Sequence, residues 1–451
     1  MTKPSNGETR WLAHLGALAA ELGHASRGAA MRAYCTGLLL PGGRKSVEPM
    51  AARITPARVP ALRQSMHHVV ATANWSDAAV LRAVSTRVLP AIERRGPVRH
   101  WVLDLIDFPK QGSRSVGVAR QPGGRFGKPG NRQLAVSLSA AGDYASLPLA
   151  FQLSLPQDWA DDPARCLQAG VPEEARSETR ASLALGQVRR ACEEGQPRGI
   201  VLGSAEFGDK PEVRAGLTSL DLPYVLGVGP STSVRLPAAE RPAPGYRQAS
   251  KPRAGASTES SAGPVSALTL ALSLPPRAWR RMAWREGGQP VPSSRFAALR
   301  VWPATGATEE WLLAEWPGGA AAPTGWWLST LDPDTPLQDL VRAAKARWRT
   351  VRDLHELRQE AGFGHYEGRG WRGFHHHASL SIAAYGFLLA ERCLFAPAQR
   401  FHPGRIAPAP RREAFQPRGA AARAVREAPG DALGGGLGSS AMLGEPQNRA
   451  R

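Results

Sequence analysis

From Glu8 to about Glu93 the apolar residues recur at helical spacing, first as Trp11, Leu12, Leu15, Leu18 and Leu22 and later as Leu81, Val84, Val88 and Leu89. This period of about 3.6 predicts a helical N-terminal domain over residues 1–95. Within it, Gly42 and Gly43 interrupt the segment Gly37–Arg53 (GLLLPGGRKSVEPMAAR) and present Arg44 and Lys45 ahead of a helix start, a placement that suits a phosphate as well as a solvated turn. From His100 the period changes. Runs rich in Val, Leu and Ile at Trp101–Ile106, Ser115–Arg120, Gln133–Ser139 and Leu149–Leu155 predict strands, a helical pattern covers Arg176–Cys192, and Gly199–Gly203 is again strand-like. The runs at Trp101 and Gly199 are apolar enough for burial on both faces. A strand meander that passes into alternating strand and helix predicts an α/β fold with a mixed sheet flanked by helices over residues 96–229.

After Tyr224–Val228 the stretch Pro230–Pro264 is rich in Pro, Ser and Gly and predicts a linker. Strand-like pieces with many tryptophans follow over Leu268–Glu315, so residues 230–335 are expected to hold this linker and a β-rich insertion. A strong helix is predicted after Asp332–Pro336, with Thr335 as cap and Pro336 in the first turn. Its stripe of Ala344, Trp348, Val351 and Leu354 predicts that Val351 faces the core. A more apolar helix is expected from about Phe374 to Phe395, so that residues 336–395 complete the fold. Beyond Ala396 the composition collapses into Pro, Arg, Ala and Gly, which predicts a disordered basic tail over 396–451.

A chain of 451 residues exceeds what one core usually supports. Its net charge of +19 points to a polyanionic partner, with nucleic acid first, although Arg-rich codon usage accounts for part of the excess. Four scattered cysteines, Cys35, Cys166, Cys192 and Cys393, make neither a zinc motif nor a disulfide framework and fit a reducing cytoplasm. No stretch reaches the roughly 18 apolar residues of a membrane span, so no membrane is expected.

Several long segments resemble one family. Besides Gly37–Arg53, they are DFPKQGSRSVGVARQ from Asp107, NRQLAVSLS from Asn131, AGVPEEA from Ala169 and HYEGRGWRGFHHHASLSIAAYGFLLAER from His365. Together they are similar to the transposases of bacterial insertion sequences, specifically insertion-sequence family 701 within the DDE recombinases. That resemblance implies an RNase H-like core, DNA-strand cleavage and transfer, double-stranded DNA (transposon ends) as partner, and a homodimer or an assembly with an active transposase. It also implies Mg²⁺, whose preference for carboxylate oxygens calls for two Asp and one Glu.

Here the pattern departs. Where the family reads like DDTGFPK, this chain has Asp104-Leu105-Ile106-Asp107-Phe108-Pro109-Lys110, so Asp104 matches the first Asp and is the expected metal ligand. Where it reads like VLADAGYGD, Ser204 replaces the carboxylate in Val201–Asp209. Where it reads like RWRIEQDYQELK, Val351 takes the Glu position and Arg358 that of the Lys. Glu206 is displaced along the chain by about 6–7 Å, Asp353 and Glu356 lie off the face of Val351, and His355 is a poor Mg²⁺ ligand. The expectation is a transposase-family DNA-binding protein that has lost metal-dependent cleavage. The alternatives are an active site rebuilt from Asp104, Asp107, Glu206 or Asp209, with Mg²⁺, and a regulatory partner that acts by protein contact.

Arg347, Arg358, Arg369 and Arg372, with Lys110 and Lys128, belong to the matched segments and are expected to flank DNA together with Arg44 and Lys45. His375-His376-His377 cannot converge on one ion, because consecutive helical residues point 100° apart. They are expected to pack at a helix start or touch phosphate. GRFGKPG, with Pro129 where a phosphate loop needs Ser or Thr, is expected to be a strand-to-strand loop.

Overall fold

The computed structural model describes residues 6–122, 127–236, 263–284, 292–305 and 308–395. Most of the expected linker, residues 237–262, and the whole expected tail from residue 396 lie outside the described residues.

Five helices open the chain: α1 (Asn6–Ala20), α2 (Ala25–Leu39), α3 (Val47–Ile54), α4 (Val59–His67) and α5 (Asp77–Glu93), with a π-helical turn at His68–Thr72 between the last two. The predicted stripe is the buried one. Trp11, Leu15 and Leu18 on α1 and Leu81, Val84, Val88 and Leu89 on α5 are almost wholly inaccessible. Ser76 starts α5 by accepting a hydrogen bond from the amide of Ala79 at 3.1 Å, as an N-cap should.

The strands β1 (His100–Pro109), β2 (Ala119–Gln121), β3 (Gly130–Ala141) and β4 (Ser146–Ser154) form an antiparallel meander, with β1 and β3 paired from His100–Ala141 to Pro109–Arg132. Short helices α6 (Gln157–Ala160), α7 (Pro163–Ala169) and α8 (Glu173–Arg176) lead into α9 (Arg180–Glu193). Then β5 (Ile200–Gly203), α10 (Ala205–Gly208), α11 (Pro211–Ser219) and β6 (Tyr224–Gly227) complete the crossover pattern. Strands β5 and β6 run parallel to β1, giving the order β4-β3-β1-β5-β6 with helices on both faces, the RNase H-like arrangement. Residues Trp101–Ile106 are all buried, as a central strand covered on both sides requires. The predicted strand at Ser115–Arg120 is shorter than expected: Gly117, at φ +67°, turns the chain, and only Ala119–Gln121 pairs with β3.

Beyond β7 (Ser233–Arg235) and β8 (Val265–Ser266), the segment expected to begin as strands instead opens with α12 (Ala267–Ser273), capped by Ser266. Its sequence, ALTLALS, has only alternation to suggest a strand, and the cap decides for helix. Strands β9 (Arg280–Ala283), β10 (Ser293–Pro303), β11 (Glu310–Trp316) and β12 (Gly325–Ser329) follow. They join the core edge to edge, since β12 pairs antiparallel with β6.

The remaining helices are α13 (Leu337–Lys345), α14 (Trp348–Ala361) and α15 (Trp371–Phe395). Thr335 does not cap: Pro336 holds the N-cap position and offers no side-chain acceptor. By length and mean hydropathy alone α15 would suffice to cross a membrane, but 67% of its apolar window is buried inside the protein, as in a core helix. It is the central helix of the largest core, packed by Trp11, Met31, Val84, Leu147 and Leu357.

Candidate functional site

Val102 and Leu202 are register partners in the parallel pair β1–β5, and both enter the apolar cluster that α13 closes with Leu340, Val341, Ala343 and Ala344. Side chains alternate along a strand, so Asp104 and Ser204, each two residues further on, belong to the same side, where β5 ends beside the middle of β1. Ser204 also starts α10 from an extended backbone, and its buried hydroxyl makes no hydrogen bond. The interruption between α13 and α14 brings Arg347 to this place, where its Nη2 donates to Asp104 Oδ1 at 3.0 Å. Val351 follows one helical turn later.

Val351 is not on the core stripe expected for it. It is 55% exposed, whereas Thr350, Asp353, Leu354, Leu357 and Ala361 form the buried face of α14. The stripe drawn through Ala344 and Trp348 assumed one continuous helix, whereas the chain forms two, α13 and α14, each with its own buried face.

The carboxylates near β1 have cationic partners supplied by the chain. Asp104 is buried, accepts from Arg347 and also from its neighbour's amide, Leu105 N, at 3.0 Å. Asp107 lies 2.5 Å from Arg132 Nη1 and 3.4 Å from Arg358 Nη2, and Arg358 also bonds its backbone carbonyl. The other two acids considered for a rebuilt site, Glu206 and Asp209, are engaged elsewhere. Glu206 pairs with Arg180 at 2.8 Å, and Asp209 accepts from Gly229 N and Thr232 Oγ1, both at 2.9 Å. A pair of divalent ions needs several carboxylate oxygens turned to one point. The donor set does not fit one: among the described residues, no three His, Cys, Asp or Glu side chains form a group that could hold a metal ion.

Asp353 anchors α14 to the start of β4, accepting from Ser146 N at 2.6 Å and Ser146 Oγ at 2.9 Å. Burial pushes its carboxyl up to about 6, against the opposing pull of Arg349 and Ser146. A folded value above the unfolded one contributes stability that is complete below about pH 4 and lost as pH rises through about 6. Two pH units correspond to about 3 kcal/mol. The stability difference between the parent and Asp353→Asn is therefore expected to shift by that order between pH 4 and pH 7, measured by urea unfolding. A difference that does not vary with pH would contradict it.

The basic residues singled out from sequence divide in two. Arg44, Lys128, Arg369 and Arg372 are exposed, Arg44 in a surface pair with Glu367 and Arg372 bonded to the Thr72 carbonyl. Lys45, expected in a presented loop, is instead buried with its ammonium on the Leu40 carbonyl, and burial lowers its pKa. Lys110 likewise turns inward to Tyr366 O at 2.6 Å, and Arg347 and Arg358 serve the two aspartates. Arg132 was not singled out, although its place opposite Pro109 in the antiparallel β1–β3 pair puts it within reach of Asp107. His375, His376 and His377 are buried and take separate partners, among them Leu153 N, the Val70 carbonyl and the Tyr34 hydroxyl, which is packing rather than a shared ligand site. A cavity of about 450 Å³ between α5, β4, α9 and the start of α15 includes none of Asp104, Ser204 or Val351. Register and side-chain chemistry, not concavity, define the candidate site.

A family model described as DDE superfamily endonuclease matches residues 17–291. The match spans the N-terminal helices and the core strands with Asp104 and Ser204, and ends before α13, so Val351 lies outside it. No curated protein matches the chain. The matched region is more than half of the 451 residues and contains the strand order described above, so the chain belongs to the DDE superfamily endonucleases.

Proposed function

We propose that this chain binds double-stranded DNA as an insertion-sequence transposase does, and that it does not cut it. The observation that carries the second half is the pairing of Asp104 with Arg347 at 3.0 Å, at the place where the family's metal-dependent chemistry needs clustered acids. Ser204 and Val351 add no negative charge, and a guanidinium held against the remaining carboxylate repels a divalent cation. The relation to family 701 rests on the segments quoted above. DNA binding is supported by family membership, by the charge of +19 and by the exposed residues Arg44, Lys128, Arg369 and Arg372.

Two measurements on the full chain test this reading. Retardation of duplex DNA is expected at low salt and to weaken steeply as salt rises, because phosphate contacts release counterions. Nicking of element-end DNA with Mg²⁺ or Mn²⁺ is expected to stay at background. Robust nicking that Asp104→Ala abolishes would establish a rebuilt active site. Absence of DNA binding at any salt would favour a protein that acts through contact with an active transposase.

A further inference from the structure

Lys345, the last residue of α13, places its ammonium among three aromatic rings. Nζ lies 4.5 Å from the ring centre of Trp284, 5.1 Å from that of Trp327 and 5.6 Å from that of Phe296. It donates to Glu315 Oε2 at 2.6 Å. The walls come from four neighbouring strands: Trp284 follows β9, Phe296 sits opposite Glu315 in the β10–β11 register, and Trp327 lies on β12. Gly325 makes the arrangement possible. A Cβ there would stand 2.6 Å from the Trp327 ring and 3.0 Å from Glu315 Oε2, so any larger residue displaces two walls at once. Ring faces attract a cation most strongly where water is excluded, and the side chains of Lys345 and Glu315 are only 17% and 10% exposed.

We propose that Trp284, Phe296, Trp327 and Glu315 form an alkylammonium-binding cage whose resident ligand is the chain's own Lys345, and that filling the cage holds the α13–α14 break so that Arg347 meets Asp104. Arg347 is two residues beyond the caged ammonium. The cage is therefore an anchor next to the break and makes Lys345 a positioning residue. This inference goes beyond the DNA-binding reading and stands whether or not the chain cuts DNA.

The test empties the cage in the full-length protein. For Lys345→Ala, n-propylammonium is expected to raise the unfolding midpoint saturably, while 1-propanol and NaCl at equal concentration do not; the parent, with its cage filled, gains nothing specific. Lys345→Arg is expected to retain most of the stability that Lys345→Met loses. The Lys345→Met and Arg347→Met losses are expected to be non-additive, because the second contact depends on the first. Gly325→Ala, whose Cβ would press on the Trp327 ring and Glu315, gives an independent variant, expected to weaken the n-propylammonium rescue when added to Lys345→Ala. Equal rescue by propanol, or no rescue of a folded Lys345→Ala, would overturn the cage. Additive losses would overturn the positioning of Arg347. Should Lys345→Ala not fold, the Lys345→Arg and Lys345→Met pair decides, and an arginine that retains no more stability than methionine would refute the cage.

Discussion

Arg347→Met is expected to cost roughly 3–5 kcal/mol of folding stability, since it takes from the buried Asp104 carboxylate the guanidinium paired with it. The value should lie toward the low end, because the Arg347 side chain keeps 24% exposure while that of Asp104 keeps 9%. Adding Asp104→Asn to Arg347→Met is expected to recover most of the loss, because the amide oxygen can still accept from Leu105 N and no charge remains. Urea unfolding of the parent and these two variants measures both steps. The same set examines the metal question. With Arg347 gone, the other two acid positions of the family still hold Ser204 and Val351, and millimolar Mg²⁺ or Mn²⁺ is expected to leave the midpoint of Arg347→Met unchanged. A metal-dependent rise would mean that other carboxylates move in, and the proposal of a silent site would fail.

The combined variant Arg44→Ala, Lys128→Ala, Arg369→Ala and Arg372→Ala is expected to lower affinity for duplex DNA by roughly three orders of magnitude near 0.1 M salt. Each phosphate contact contributes about 0.9 to the slope of log affinity against log salt, so four lost contacts flatten it by roughly 3.6. Lys45→Met, Lys110→Met and Arg358→Met serve as contrast. Their charges are spent on Leu40, Tyr366 and Asp107, so they should lower stability with little change in slope. A slope that responds to the inward set and not to the exposed set would show that DNA approaches by another face.

The fold could be read from the sequence where one period persisted. The amphipathic stripes of α1 and α5 and the doubly buried run of β1 were visible because local pattern and tertiary burial agree there. Prediction failed where a long-range contact overrides the local pattern. The helix through residue 351 looked continuous, and nothing adjacent in sequence reveals that the chain breaks at Ala346–Arg347. Lys45 and Lys110 resembled surface cations, but their ammonium groups satisfy carbonyls that only the folded chain brings near. The altered acid positions were recognisable by resemblance alone. The arginines that neutralise Asp104 and Asp107 come from positions 347, 358 and 132, too distant in sequence for spacing to link them. The cage around Lys345 was invisible for the same reason, since its walls are contributed by residues 284, 296, 315 and 327.

The way α15 closes the first core sets a timetable for biosynthesis. Arg10 meets Glu391, His14 meets the Ala383 carbonyl, and Tyr34 meets His377, each across more than 340 residues of chain. A ribosome that has released the first five helices has made only part of that core, and the helix that seals it is translated only after all twelve strands described above. Nascent polypeptides must therefore keep the apolar sides of α2 and α5 from sticking to their neighbours until residue 371 and beyond emerge, a period in which chaperones and proteases compete for the same surface.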